Sequence, residues 1–180
     1  MPRYFAFLRA INVGGHTVKM DRLRSLFEEL GFANVQTFIA SGNVIFEVPE
    51  EDTRALEKRI EEHLQNSLGY AVTTFLRTPE ELERIVKYRP FEEYSPESED
   101  FRQYVAFITA AHGDEMQAKL DTLRTTADEF HINGREIYWL RRINVGESEF
   151  SGATLEKIIG MPATMRNCTT LRKLVKNFFA

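Results

Sequence analysis

The residues best suited to chemistry lie in two short stretches. One is Leu8-Arg9-Ala10-Ile11-Asn12-Val13-Gly14-Gly15, which holds Arg9, Asn12, Gly14 and Gly15; the other is Ser41-Gly42-Asn43, which holds Ser41 and Asn43. Their types suit an oxyanion. Glycines let backbone N–H groups turn toward a ligand, the N-terminus of a following helix adds positive potential, and the Arg9 guanidinium offers a planar fork of donors to a phosphate or carboxylate. The spacing matches neither a Walker A loop nor a G-x-G-x-x-G turn. A structural reading stands beside this one: Gly14 and Gly15 turn the chain, and Asn43 satisfies the backbone of a hairpin.

Other constellations are weaker. His16, His63, His112 and His131 are dispersed and lack metal-ligand spacing, so no metal site is expected. Ser41 precedes a glycine but sits in no G-x-S-x-G elbow. Cys168 is the one cysteine of the chain, which excludes an intramolecular disulfide and any thiolate-rich metal site. The helix carboxylates follow solvated faces, and none is singled out for acid–base work. No cofactor is implied, no catalytic residue is identified, and enzymatic activity is left open.

Two loops far apart in sequence act together only if strands bring them together. Tyr4 to Arg9 has the aromatic and aliphatic density of a central strand buried on both faces. A helical stripe follows at Met20, Leu23, Leu26, Phe27 and Leu30, then two strands around Ser41-Gly42, then a second helix from Asp52 with Leu56, Ile60, Leu64 and Leu68 on one face. Tyr70 to Arg77 reads as a fourth strand, and Thr78-Pro79-Glu80-Glu81 as a capping box opening another helix. The order is βαββαβα. Tyr104-Val105-Ala106-Phe107-Ile108-Thr109-Ala110 then echoes Tyr4-Phe5-Ala6-Phe7-Leu8-Arg9-Ala10, and Asn133-Gly134 between alternating apolar runs marks a second hairpin. The chain reads as a tandem duplication.

With right-handed crossovers, each βαββαβ unit closes as an α+β ferredoxin-like plait with strand order 4-1-3-2. Strands 1 and 2 then run the same way, and the strand 1 loop meets the strand 2–3 hairpin at one end of the sheet. Expected boundaries are 1–90 for the first unit, 91–100 for an acidic linker of poor core character, and 101–180 for the second unit with its C-terminal helix.

Composition bounds the partners. A net charge of −4 disfavours charge-driven nucleic-acid binding. No apolar run reaches membrane-span length and the N-terminus shows no signal-peptide pattern, so the expectation is a cytoplasmic protein with no membrane partner; the oligomeric state is not fixed.

Phe7-Leu8-Arg9-Ala10-Ile11-Asn12-Val13-Gly14-Gly15, Ser41-Gly42-Asn43-Val44-Ile45-Phe46 and Ala163-Thr164-Met165-Arg166-Asn167 resemble the signatures of a bacterial family called domain of unknown function 1697. The resemblance spans nearly the whole chain and implies two ferredoxin-like (alpha-beta plait) units in tandem. It also implies adding Arg166 and Asn167 to the candidate ligand-binding residues. Two positions depart from the family pattern: Cys168, where members often carry Trp, and Ser148-Glu149, where they often carry Ser-Lys. For function three readings result: a small anionic ligand held at the strand 1 corner; a protein-interaction or regulatory module in which the same residues are structural; and nucleic acid stacked on Phe46, Tyr138 and Trp139.

Overall fold

The computed structural model describes residues 1–11, 15–39, 42–110 and 113–179. The elements are β1 (Arg3–Leu8), α1 (Met20–Glu29), β2 (Ala33–Thr37), β3 (Asn43–Glu47), α2 (Thr53–Leu68), β4 (Thr74–Arg77) and α3 (Pro79–Lys87), then β5 (Phe101–Ile108), α4 (Asp114–Asp121), β6 (Asp128–Asn133), β7 (Glu136–Arg142), α5 (Gly152–Ile159), β8 (Ala163–Asn167) and α6 (Cys168–Phe178). The chain divides into two compact units, 1–82 and 83–180. Residues 91–100 therefore fall in the second. No helix among the described residues is long and apolar enough to cross a membrane.

In the first unit the sheet order is β2-β3-β1-β4, with every neighbouring pair antiparallel, as the duplicated plait requires. Alternation along β1 explains why it is apolar throughout. Tyr4, Ala6 and Leu8 join Val44, Phe46 and Leu76 beneath Leu23, Leu26 and Phe27 of α1 and Leu56, Ile60 and Leu64 of α2. Phe5 and Phe7 are buried on the opposite face. The α2 helix starts where the Asp52 side chain accepts the Ala55 N–H at 2.9 Å and stops at Gly69, whose φ of 84° is left-handed. One expectation is corrected here. Glu57 belongs to the charged face of α2 in sequence but is only 4% exposed, because its carboxylate turns toward the backbone of β4. The strand expected over 70–77 is also shorter, beginning at Thr74.

The second unit repeats the order as β6-β7-β5-β8. Asn133 pairs with Glu136 across the turn, and Gly134 supplies the positive φ, 63°, that this tight hairpin needs. Trp139 stacks on Tyr104 and packs with Phe130 and Phe150. Its indole N–H donates to the buried Asp128 carboxylate at 2.8 Å, which also accepts from Ser148 and Thr125. That network fixes the loop around Ser148. On the other face of the sheet, Gln103 donates to the Cys168 Sγ at 3.2 Å and ties β5 to the start of α6.

The acidic stretch 91–100 contributes more to a core than its charge suggests. Phe91 and Tyr94 are buried while Glu92 and Glu93 between them are exposed. Arg89 donates to the Tyr94 carbonyl at 2.7 Å and Arg172 to its hydroxyl at 2.8 Å.

Candidate functional site

The two candidate stretches of the first unit meet at the C-terminal end of β1. Phe7 lies opposite Asn43, and the Leu8 N–H donates to the Gly42 carbonyl at 2.9 Å. On the other side, the Arg9 N–H donates to Thr73 O at 2.9 Å, joining the start of β4 to the same corner. The fold therefore brings Arg9, Gly42 and Asn43 together, as strand order 4-1-3-2 demands. Gly15 is described at the exit of the first loop, exposed, with φ +86°. Asn12, Gly14 and Ser41 lie outside the described residues.

Gly42, which the strand order places on this edge with the others, has the plainest need for glycine of the group. At φ +80° a Cβ there would stand 3.2 Å from the Cβ atoms of Leu8 and Ile11 and from the Leu8 carbonyl oxygen. The β1 loop and the hairpin are packed onto one another at that residue. Asn43 is 1% exposed; its Nδ2 donates to Phe38 O at 2.9 Å, while the Phe38 N–H donates to the Asn43 carbonyl at 3.0 Å. This is the hairpin-satisfying role. Arg9 is half-buried beside it.

Two backbone features of this corner carry no sequence signal. Ala10 and Ile39, one in each loop, adopt left-handed φ values of 63° and 60°. Beyond Gly15, His16 stacks on Tyr70 with ring centroids 3.8 Å apart, so the exit of the first loop leans on the segment preceding β4. Burial raises the Tyr70 phenol above its ordinary pKa.

Arg166 and Asn167 belong to the second unit, at the other end of its sheet from the Asn133-Gly134 hairpin. Arg166 is 7% exposed and donates through Nη1 to Thr164 Oγ1 at 2.8 Å and to the Met165 carbonyl at 2.9 Å. Burial lowers its guanidinium from 12.5 to about 10, which leaves it charged at neutral pH. Asn167 is the N-cap of α6, its side chain accepting the Thr169 N–H at 2.9 Å. Arg166 has a counterpart that sequence reading missed. Arg77 lies opposite Phe5 as Arg166 lies opposite Val105, is 1% exposed, and donates to the preceding carbonyl of Leu76 at 2.8 Å. The hundred-residue offset between β1 and β5 was the signal that could have paired them.

The remaining candidates are buried. Phe46, Tyr138 and Trp139 are core residues, which corrects their reading as an open stacking platform for bases. Burial pushes the Cys168 thiol up to about 11, so it is protonated and unreactive at neutral pH.

No curated protein matches the chain. In structure it is similar to a conserved bacterial protein from Streptococcus pneumoniae, with a TM-score of 0.79 and 23% identity, over 100% of this chain and 99% of that one. That likeness establishes the fold. The family model described as "Protein of unknown function (DUF1697)" matches residues 1–138, which takes in the whole strand 1 corner and stops short of Arg166 and Asn167. By that match, which covers well over half its length, the chain belongs to the DUF1697 family.

Proposed function

We propose that the corner where the β1 loop meets the β2–β3 hairpin binds a small ligand bearing a phosphate or carboxylate, with Arg9 as its charged donor. The backbone of the two loops carries this reading. An L-residue at positive φ costs about 1–2 kcal/mol, and a β-branched one is a true outlier. Ile39 is such a residue and is 51% exposed, so apolar burial does not offset the strain. Strain of this kind persists where surrounding contacts over-determine it, and it concentrates at ligand clamps and active sites. Here it occurs in both loops, beside an arginine and at a glycine-enforced close approach. Asn12, Gly14, Gly15 and Ser41 are the donors these loops contribute in sequence.

A second reading draws on Asn43. Its side chain is committed to Phe38 O, which favours a module whose corner polar groups hold the hairpin and whose business is with protein partners. Thermal unfolding of wild type and Arg9→Ala across phosphates, sugar phosphates, nucleotides and carboxylates separates the two. A ligand at a hundred times its dissociation constant adds about 2.7 kcal/mol of stability. The ligand reading expects one chemical class to raise the wild-type midpoint and leave that of Arg9→Ala unmoved. If no class raises it and Arg9→Ala alone is much less stable, the corner is structural.

A further inference from the structure

Each four-stranded sheet has two edge strands, and an edge presents outward N–H and C=O groups on which another strand can pair. The bond from the Arg9 N–H to Thr73 O sets the parity of β4. Residues 73, 75 and 77 address β1, and residues 74 and 76 address the outside. Both outward N–H groups of the strand are met by carboxylates. Thr74 donates to Glu61 Oε1 at 3.3 Å and Leu76 to Glu57 Oε2 at 3.1 Å; just past the strand, the Thr78 N–H goes to Glu81 Oε2 at 2.9 Å in the capping box of α3. The outward carbonyl of Leu76 accepts from Arg77.

The fit is geometric. Glu57 and Glu61 are four residues apart on α2, a rise of about 6 Å, and the two strand N–H groups they meet are two residues apart, about 7 Å. Side chains of one helix turn thus stand where the carbonyls of a fifth strand would stand. The second unit uses the same device with different residues. Ile132 N–H donates to Gln117 Oε1 at 2.9 Å while Gln117 Nε2 donates to Phe130 O at 3.0 Å, so one carboxamide of α4 pairs with the β6 edge as a peptide group would. Glu156 of α5 accepts the Ala163 N–H of β8 at 3.3 Å. Thr74, Leu76 and Glu57 are all buried, so the carboxylates cover this edge from outside as well as satisfy its N–H groups.

We propose that Glu57 and Glu61 act as strand mimics that close the β4 edge against pairing with the β4 edge of a second copy of this chain. Two identical edges paired antiparallel make a two-fold, self-complementary contact, which is what a concentrated solution of one chain offers. The test compares Glu57→Leu/Glu61→Leu with Glu57→Gln/Glu61→Gln by sedimentation and by amide exchange across a dilution series. Leucine removes the acceptor, whereas glutamine keeps it and removes only the charge. The leucine variant is expected to double its mass relative to wild type, with the Leu76 amide becoming protected as concentration rises, and the glutamine variant to keep the wild-type mass. A folded leucine variant of wild-type mass overturns the proposal, as does equal association of both variants, which would assign the effect to charge. Should the double leucine variant not fold, Glu61→Ala, at a half-buried position, decides by the same mass comparison against Glu61→Gln.

Discussion

The two units turn the same corner with different residues. In the first, the N–H at the end of β1 reaches the carbonyl of Gly42; in the second, the N–H of Ile108 at the end of β5 reaches the carbonyl of Arg135, at 3.1 Å. The bond is common property of the fold. What surrounds it is not: Asn43 of the first unit faces Phe7, and its counterpart opposite Phe107 is Glu136; Arg9 of the first corresponds to Thr109, whose hydroxyl meets the Met161 sulfur at 3.7 Å. The first copy gathers Arg9, Gly42 and Asn43 at this corner, and the second Thr109, Arg135 and Glu136. Duplication kept the architecture in both copies and changed the side chains that surround it: the glycine and asparagine of the first corner are an arginine and a glutamate in the second.

The comparison can be broken at the cores beneath the two corners. Phe46 opposite Tyr4 and Trp139 opposite Tyr104 are equivalent positions, but Phe46 is packed among Phe27 and Phe32 and Trp139 is held in addition by Asp128. Phe46→Ala is expected to lower stability by about 3–5 kcal/mol. Trp139→Ala is expected to cost a similar amount and to loosen the Ser148 loop as well. Denaturant unfolding with amide exchange resolved by residue checks both. A loss of protection spread evenly over both units for either variant would mean that the units do not open separately.

A smaller effect sharpens the difference at the corners themselves. Gly42→Ala puts a Cβ against Leu8 and Ile11 at positive φ and is expected to cost about 2 kcal/mol, while Gly134→Ala, at φ +63° with no atom within 4 Å of its Cβ, should cost about 1 kcal/mol. Thermal midpoints of the two variants give the ranking. Equal costs would remove the claim that the first corner is packed loop on loop.

The smallest expected effect is confined to the second unit and to alkaline pH. Cys168 titrates near 11 when folded, above the ordinary 9.0, so the unfolded chain releases its proton at the lower pH. Raising pH through 9 therefore favours unfolding, by about 1 kcal/mol at pH 10, and the stability this thiol contributes is intact below 9. Cys168→Ala should flatten that part of the stability profile relative to wild type. A wild-type profile parallel to that of the variant between pH 8 and 10 would refute the assignment.

Much of this architecture was legible from local pattern. The unbroken apolar run of β1, the every-fourth apolar residues Leu56, Ile60, Leu64 and Leu68 of α2, Asn133-Gly134 and the Thr78–Glu81 capping box each encode their element through short-range physics, and the echo at residue 104 encodes the second unit. The Arg9, Gly42 and Asn43 corner followed from topology alone. What escaped the reading depends on long-range register. Glu57 looks like any solvated helix glutamate until β4 lies beside it, and Arg77 looks like the end of a strand until its edge position is known. Phe91 and Tyr94 were masked by the charge between them, since a three-residue spacing in a turn gives no periodic signal.

The bond from Gln103 to the one thiol of the chain makes Cys168 a natural reporter. A labelling reagent reaches that sulfur only when α6 lifts from β5, so the rate of modification times local opening of the second unit with no probe engineered into the protein. Followed while ligands are offered to the first unit, that clock reads out whether occupancy at one corner is felt in the other copy of the fold.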